Sequence, residues 1–120
     1  MAITFQDDSF LGDQLIYTWV MDANGSGAAK RIGRFADKSY AMWGTWGGAT
    51  VKLEGSWHNP NGTPDSASFI TMTESDNTTS ISFGVDAKGA VLENPVWIRP
   101  TMSNAGTTSI KIVVTAPWRR

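Results

Sequence analysis

The stretch 40–57, YAMWGTWGGATVKLEGSW, constrains the fold most, because it joins a glycine-rich corner to a run that repeats every two residues. Val51, Leu53, Gly55 and Trp57 fall on one face of an extended chain, and Thr50, Lys52, Glu54 and Ser56 fall on the other. This alternation predicts a half-buried antiparallel strand. The Gly47-Gly48 pair ahead of it tolerates the positive φ angles that most residues avoid, which predicts a tight hairpin turn.

The same grammar recurs along the chain. Candidate strands lie at 3–5, 14–21, 29–35, 39–44, 50–57, 67–73, 80–85, 95–102 and 108–115, spaced as the short strands of a sandwich or barrel are. Turn chemistry separates them: Asn24-Gly25, Gly47-Gly48, Asn59-Pro60-Asn61-Gly62, Asp76-Asn77, 86–89 and 104–106. That spacing predicts hairpins and meanders, with helix signals nearly missing and one domain over 1–120. Leu15, Tyr17, Trp19 and Met21, then Ile81, Phe83 and Val85, then Ile110, Ile112 and Val114 are the predicted core. Ile16, Val20, Ile70, Met72, Val96, Ile98 and Val113 lie on the opposite phase, which predicts that some strands are covered on both faces, by a second sheet or by another subunit.

Cysteine is absent, so disulfides and thiolate metal sites are excluded and packing alone must hold the fold. Ten basic and eleven acidic residues are scattered, which argues against a nucleic-acid or anionic-membrane footprint. The run 30–38, with Lys30, Arg31, Arg34 and Lys38, is locally basic and reads as solvated surface. The first ten residues carry the Asp7-Asp8 pair where a signal peptide needs apolar ones, so no export signal is expected, and no apolar run is long enough to span a bilayer. The Asn-x-Ser/Thr triplets at Asn24, Asn61 and Asn77 read as turns rather than glycan acceptors.

Chemistry has few footholds in this sequence. His58 is the only histidine and sits in a predicted surface loop beside Asn59-Pro60. The segment 22–27, Asp-Ala-Asn-Gly-Ser-Gly, opens like a calcium loop, but the required bidentate acid is replaced by Gly33, so a polar turn is expected. Asp7 and Asp8 point apart in an extended chain, and Asp37, Glu54, Glu74 and Glu93 are scattered without a cleft signature. No nucleophile has an adjacent base, so no enzyme, cofactor or resident metal is expected. The strongest excess is six tryptophans. Trp19 and Trp57 fall on the apolar phase and are expected in the core, Trp43 and Trp46 flank the glycine corner either packed or displayed, and Trp118 is expected to lie uncovered.

Two stretches resemble a group of short β-proteins encoded among the head and tail genes of tailed bacteriophages. One is Trp43-Gly44-Thr45-Trp46-Gly47-Gly48-Ala49-Thr50-Val51-Lys52-Leu53-Glu54-Gly55-Ser56. The other is Glu93-Asn94-Pro95-Val96-Trp97-Ile98-Arg99-Pro100-Thr101-Met102, followed by a glycine turn and the strand from Ser109 to Val114. The resemblance covers the last two-thirds of the chain. It implies an all-β, single-domain antiparallel β-sandwich or jelly-roll of about eight to nine short strands. It also implies a noncatalytic virion structural protein, of the capsid cement or decoration type, whose partners are the major capsid protein and copies of itself in a homo-oligomer such as a trimer. Such a role needs mobile arms and surface anchors, for which 1–10 and 116–120 are the candidate arms. Phe5, Phe10, Trp43, Trp46, Arg99, Trp118, Arg119 and Arg120 are the candidate partner-binding residues. The alternative expectation is a carbohydrate-binding sandwich on a fibre or tail part, stacking sugars on Trp43, Trp46 and Trp118.

Overall fold

The alternating runs pair into two antiparallel sheets whose apolar faces meet. A computed structural model describes residues 5–11, 14–33 and 37–117, with side chains described from Leu15 onward. The strands are β1 (Phe5–Leu11), β2 (Gln14–Met21), β3 (Gly25–Ser26), β4 (Lys30–Arg31), β5 (Ser39–Thr45), β6 (Thr50–Ser56), β7 (Ile70–Thr71), β8 (Ser82–Phe83), β9 (Ala87–Ala90), β10 (Trp97–Ser103) and β11 (Ser109–Pro117). One sheet runs β1-β2-β11-β5-β9; in the other, β10 and β6 lie at the centre, β3 and β4 both edge β10, and β7 and β8 both edge β6.

The two-residue strands are halves of longer ones. Met72 and Ile81 both bond to Leu53, so 72–81 is an excursion within a single edge strand made of β7 and β8. Four residue steps from Ser26 to Lys30 face three steps from Thr101 to Ile98, so β3 and β4 are one strand broken by a bulge. The bulge lies opposite Pro100, which has no N–H to give to the ladder. With these merged, β2 to β11 make eight successive strands, ordered 1-8-3-6 in one sheet and 2-7-4-5 in the other. That is the jelly-roll order, with β1 added at one edge.

The inner faces supply the core. Leu15, Trp19 and Met21 of β2, Met42 of β5, and Ile110, Ile112, Val114 and Ala116 of β11 are buried against Val51 and Leu53 of β6 and Ile98 and Met102 of β10. Ile32, Met72 and Ile81 close the sides. Tyr17 packs edge-on to Trp19 at 6.1 Å, and Phe83 stacks on Tyr40 at 6.3 Å. Ile98 and Met72, on the opposite phase, are therefore ordinary core residues, whereas Ile16, Val20 and Val113 lie half-buried on the outer face.

Several expectations change. The Gly47-Gly48 turn does form, with φ of 55° and 88° and a bond from the Ala49 N–H to the Trp46 carbonyl, but it is no hairpin: β5 and β6 belong to different sheets. Sequence neighbours pair directly at β1–β2 and β6–β7, as the hairpin expectation has it, whereas the other successive strands cross between layers. Residues 87–89 of the expected 86–89 turn, together with Ala90, form the edge strand β9 on β5, because Ala87 packs inward opposite Met42. Residues 5–11 are not a free arm but β1, laddered to β2 along its whole length. Ala116, placed in a tail, is fully buried in β11. Trp57 is 46% exposed rather than core, because β6 ends at Ser56, whose buried hydroxyl bonds Ser68 and the His58 N–H. Val85 is exposed because β8 stops at Phe83. Residues 1–4, 12–13, 34–36 and 118–120 lie outside the described residues, and with them parts of the candidate strands at 3–5 and 29–35.

Lys38 is not solvated surface: it is fully buried against the connection 91–96, its carbonyl accepting from the Val91 N–H and its Nζ donating to Asn94 Oδ1 at 2.7 Å. Burial, partly offset by the Glu93 carboxylate, lowers its pKa from 10.5 to about 8. The unfolded chain then holds this proton to higher pH than the folded one, so stability rises with pH between about 8 and 10.5. Lys38→Met is expected to abolish that rise. Denaturant midpoints measured across the window should climb for the natural protein relative to the variant, and parallel curves would contradict the assignment.

A second outcome follows from packing. A Cβ on Gly27 would lie 2.8 Å from Trp19 Cδ1 and 2.9 Å from the Pro100 ring, neither of which can swing away. Gly27→Ala is expected to cost about 1–3 kcal/mol through overpacking. Thermal unfolding checks this, and an unchanged melting temperature would show that the bulge relaxes freely.

Candidate functional site

The outer face of the five-stranded sheet is built by the same alternation that fills the core. With odd residues of β2 and even residues of β5 and β11 turned inward, Ile16, Thr18, Val20, Ala41, Trp43, Lys111, Val113 and Thr115 turn outward. Register lines them into rows: Ile16 beside Thr115 and Ser39, Thr18 beside Val113, Ala41 and Lys88, and Val20 beside Lys111 and Trp43. The result is a β-branched, largely apolar face carrying one tryptophan and two lysines. Trp43 is 43% exposed, and the Lys111 ammonium lies 5.8 Å from its ring centroid. Two shallow depressions flank Lys88, one of about 490 Å³ between Ala41, Val113 and Thr115, the other of about 300 Å³ between Ala41, Trp43 and Asp86.

The structure separates the two corner tryptophans. Trp46 is half-buried against the core, its Nε1 donates to Asp86 Oδ1 at 2.8 Å, and its carbonyl accepts from the hydroxyl of buried Thr108. The Gly44 N–H donates to the same Asp86 oxygen, so Trp46 helps lock the corner instead of facing outward. Arg99 lies on the other sheet. Its Nε donates to Glu54 Oε1 at 3.0 Å, its Nη1 and Nη2 donate to the Ser66 hydroxyl and carbonyl, and the guanidinium lies 3.9 Å from the Phe69 ring centroid. Its charge is thus matched within the chain. Phe5 and Phe10 lie on β1 with side chains outside the described set, and Trp118, Arg119 and Arg120 lie outside the described residues. Among the described candidates only Trp43 stands on an outer face with its ring accessible.

The outer face of the second sheet holds a cleft that the sequence reading did not assemble. Outward positions of β10 place Trp97 and Arg99 two residues apart, and the connection 57–69 folds over them. The cleft holds about 320 Å³ and is lined by Trp97, Phe69, Pro64, Arg99, Ser66 and Thr63 among others. Trp97 Nε1 donates to the Asn59 carbonyl at 3.3 Å, and the Arg31 guanidinium lies 5.5 Å from the Trp97 ring centroid, as the Trp97–Arg31 register requires. The period of two along β10 carried the signal for Trp97 and Arg99; the return of 57–69 did not show in the sequence.

Titratable groups elsewhere serve turns and ladders. His58 is exposed and its Nδ1 accepts from the Asp65 N–H. Glu93 accepts from the Thr73 N–H, and Glu74 accepts from the Tyr40 hydroxyl at 3.0 Å. Burial, together with the Glu74 hydrogen bond, pushes the Tyr40 phenol above its ordinary range. Hydrogen bonds from Thr79 and Thr78 hold the Asp76 carboxyl below its usual value. In the 22–27 segment Asn24 Oδ1 accepts from the Ala105 N–H and Gly25–Ser26 forms β3, so its polar atoms tie two loops together. Among the described residues no group of three His, Cys, Asp or Glu side chains stands close enough to hold a metal ion.

No family model and no curated protein matches the sequence. Among solved structures, the SPBc2 prophage-derived protein YomS is similar, with a TM-score of 0.60 and 11% identity over 97% of each chain. A cupin domain from Bordetella pertussis Tohama I aligns with a TM-score of 0.49 and 8% identity, covering 97% of this chain and 93% of that one. A cupin-2 domain protein from Shewanella frigidimarina NCIMB 400 aligns at 0.42 and 11%, covering 94% and 79%. The likeness to YomS is one of fold.

Proposed function

We propose that this chain is a noncatalytic structural protein of a phage virion that binds across capsid subunits and stabilises them, as cement or decoration proteins do. The outer face of the five-stranded sheet carries the proposal. There half-buried Ile16, Val20, Ala41 and Val113 lie beside exposed Trp43 in a largely apolar field, with Lys88 and Lys111 set into it. Water-exposed β-branched surface beside a displayed tryptophan favours burial against another macromolecule, at roughly 1.5–3 kcal/mol for each large side chain covered. The partner surface this face fits is apolar at its centre, with carboxylates opposite the two lysines. Many identical copies would convert such modest contacts into firm attachment. The prophage origin of YomS, a protein of the same fold, supports a phage setting. A sugar-stacking role for Trp43, Trp46 and Trp118 is the weaker reading, because the Trp46 ring is packed and its indole N–H engaged.

Mass spectrometry of purified particles from the phage or prophage that encodes the chain tests this. The chain should co-purify in a fixed ratio to the major capsid protein. A variant carrying Trp43→Ser and Val113→Lys should keep its circular dichroism spectrum yet be recovered free of particles. Particles that lack the natural chain, or that retain the folded variant at full occupancy, would overturn the proposal.

A further inference from the structure

We infer that the cleft between β10 and the connection 57–69 is a binding site for a single sugar ring that bears a carboxylate. The site lies on the opposite sheet from the proposed docking face and is independent of it. Its volume, about 320 Å³, suits a ligand of one ring, at the lower end of the roughly 300–1,000 Å³ range of small-molecule sites. Trp97 and Pro64 give apolar walls against which the C–H faces of a pyranose pack, the Arg99 guanidinium lies over buried Phe69 at the cleft floor, and Ser66, whose hydroxyl accepts from Arg99 Nη1, and Thr63 add polar lining. This mixture of flat apolar surface and hydroxyls matches a sugar better than a wholly apolar ligand.

The charge of the site selects among sugars. Arg99 is matched by Glu54, so it contributes shape and hydrogen-bond donors more than net charge. Arg31 differs: it stands beside the cleft rather than in its lining, it is exposed with its guanidinium 5.5 Å from the Trp97 ring centroid, and among the described residues no carboxylate pairs with it. A ring resting on Trp97 would bring a carboxylate substituent within reach of that guanidinium, whose planar fork suits a carboxylate. A nucleic-acid strand fits less well, because one short cleft on a chain of net charge −1 offers no extended basic track.

The test uses the full chain and two probes that differ only at the carboxylate, methyl glucuronide and methyl glucoside, followed by the Trp97 indole N–H in NMR titrations. The glucuronide should shift that resonance and bind about tenfold tighter than the glucoside, a difference of ~1.4 kcal/mol. Arg31→Gln, an exposed change that leaves the fold intact, should bring the two affinities together. Trp97→Ala should abolish binding of both. No response at Trp97, equal affinity for both probes in the natural protein, or a preference that survives Arg31→Gln would overturn the inference.

Discussion

Trp19 is the contact on which the two sheets depend. Its ring is fully buried at the middle of β2, its Nε1 donates to the Ala28 carbonyl at 3.0 Å, and it rests against the Gly27 backbone and near Pro100. One side chain therefore ties the five-stranded sheet to the bulged strand of the other. Pro100 leaves a gap in the ladder, the bulge at 27–29 absorbs the extra residue, and glycine at 27 leaves room for the indole. A chain without cysteine has no covalent alternative to this interlock. Full burial of such aromatic and aliphatic groups is the main favourable term in a sandwich of this size.

Because the inner faces are committed to that packing, only the outer faces can differ in purpose, and they do. The five-stranded sheet turns outward a field of Ile16, Val20, Val113 and Trp43. The second sheet turns outward a bonded network in which Arg99 and the Thr101 hydroxyl both donate to Glu54 Oε1, and Ser26 bonds Thr101. The first is poorly matched to water and the second well matched. The proposed docking role uses the first face, while the second holds a defined cleft beside its network.

The period-two signal made much of the core legible. Leu15, Trp19, Met21, Ile81, Ile110, Ile112 and Val114 are buried where alternation puts them, and strand spacing, which fits a sandwich or a barrel alike, leaves the fold to settle on two sheets. The signal fails where a strand stops, as at Trp57 and Val85, because phase has no meaning beyond the ladder. It also says nothing of which strand neighbours which. The Gly47-Gly48 turn has the dihedral signs of a hairpin, yet its flanking strands diverge to different sheets because Tyr40 and Met42 pack inward on one layer and Val51 and Leu53 on the other. Lys38 belongs to a basic run that reads as surface, and the partner that receives its ammonium, Asn94, lies 56 positions away, out of reach of any local signal. Among candidate site residues, Trp43 was legible as displayable; the pairing that occupies Arg99 needed a partner 45 positions away, and the return of 57–69 over β10 needed the fold itself.

The central claim is that the five-stranded sheet works by pressing its outer face against another protein in a particle. A high-resolution electron cryomicroscopy reconstruction of that particle addresses it most directly. The account predicts density for this sandwich with Trp43 and Val113 buried against a neighbouring subunit and acidic side chains facing Lys88 and Lys111. A sandwich attached through other surfaces, with that sheet open to solvent, would contradict it.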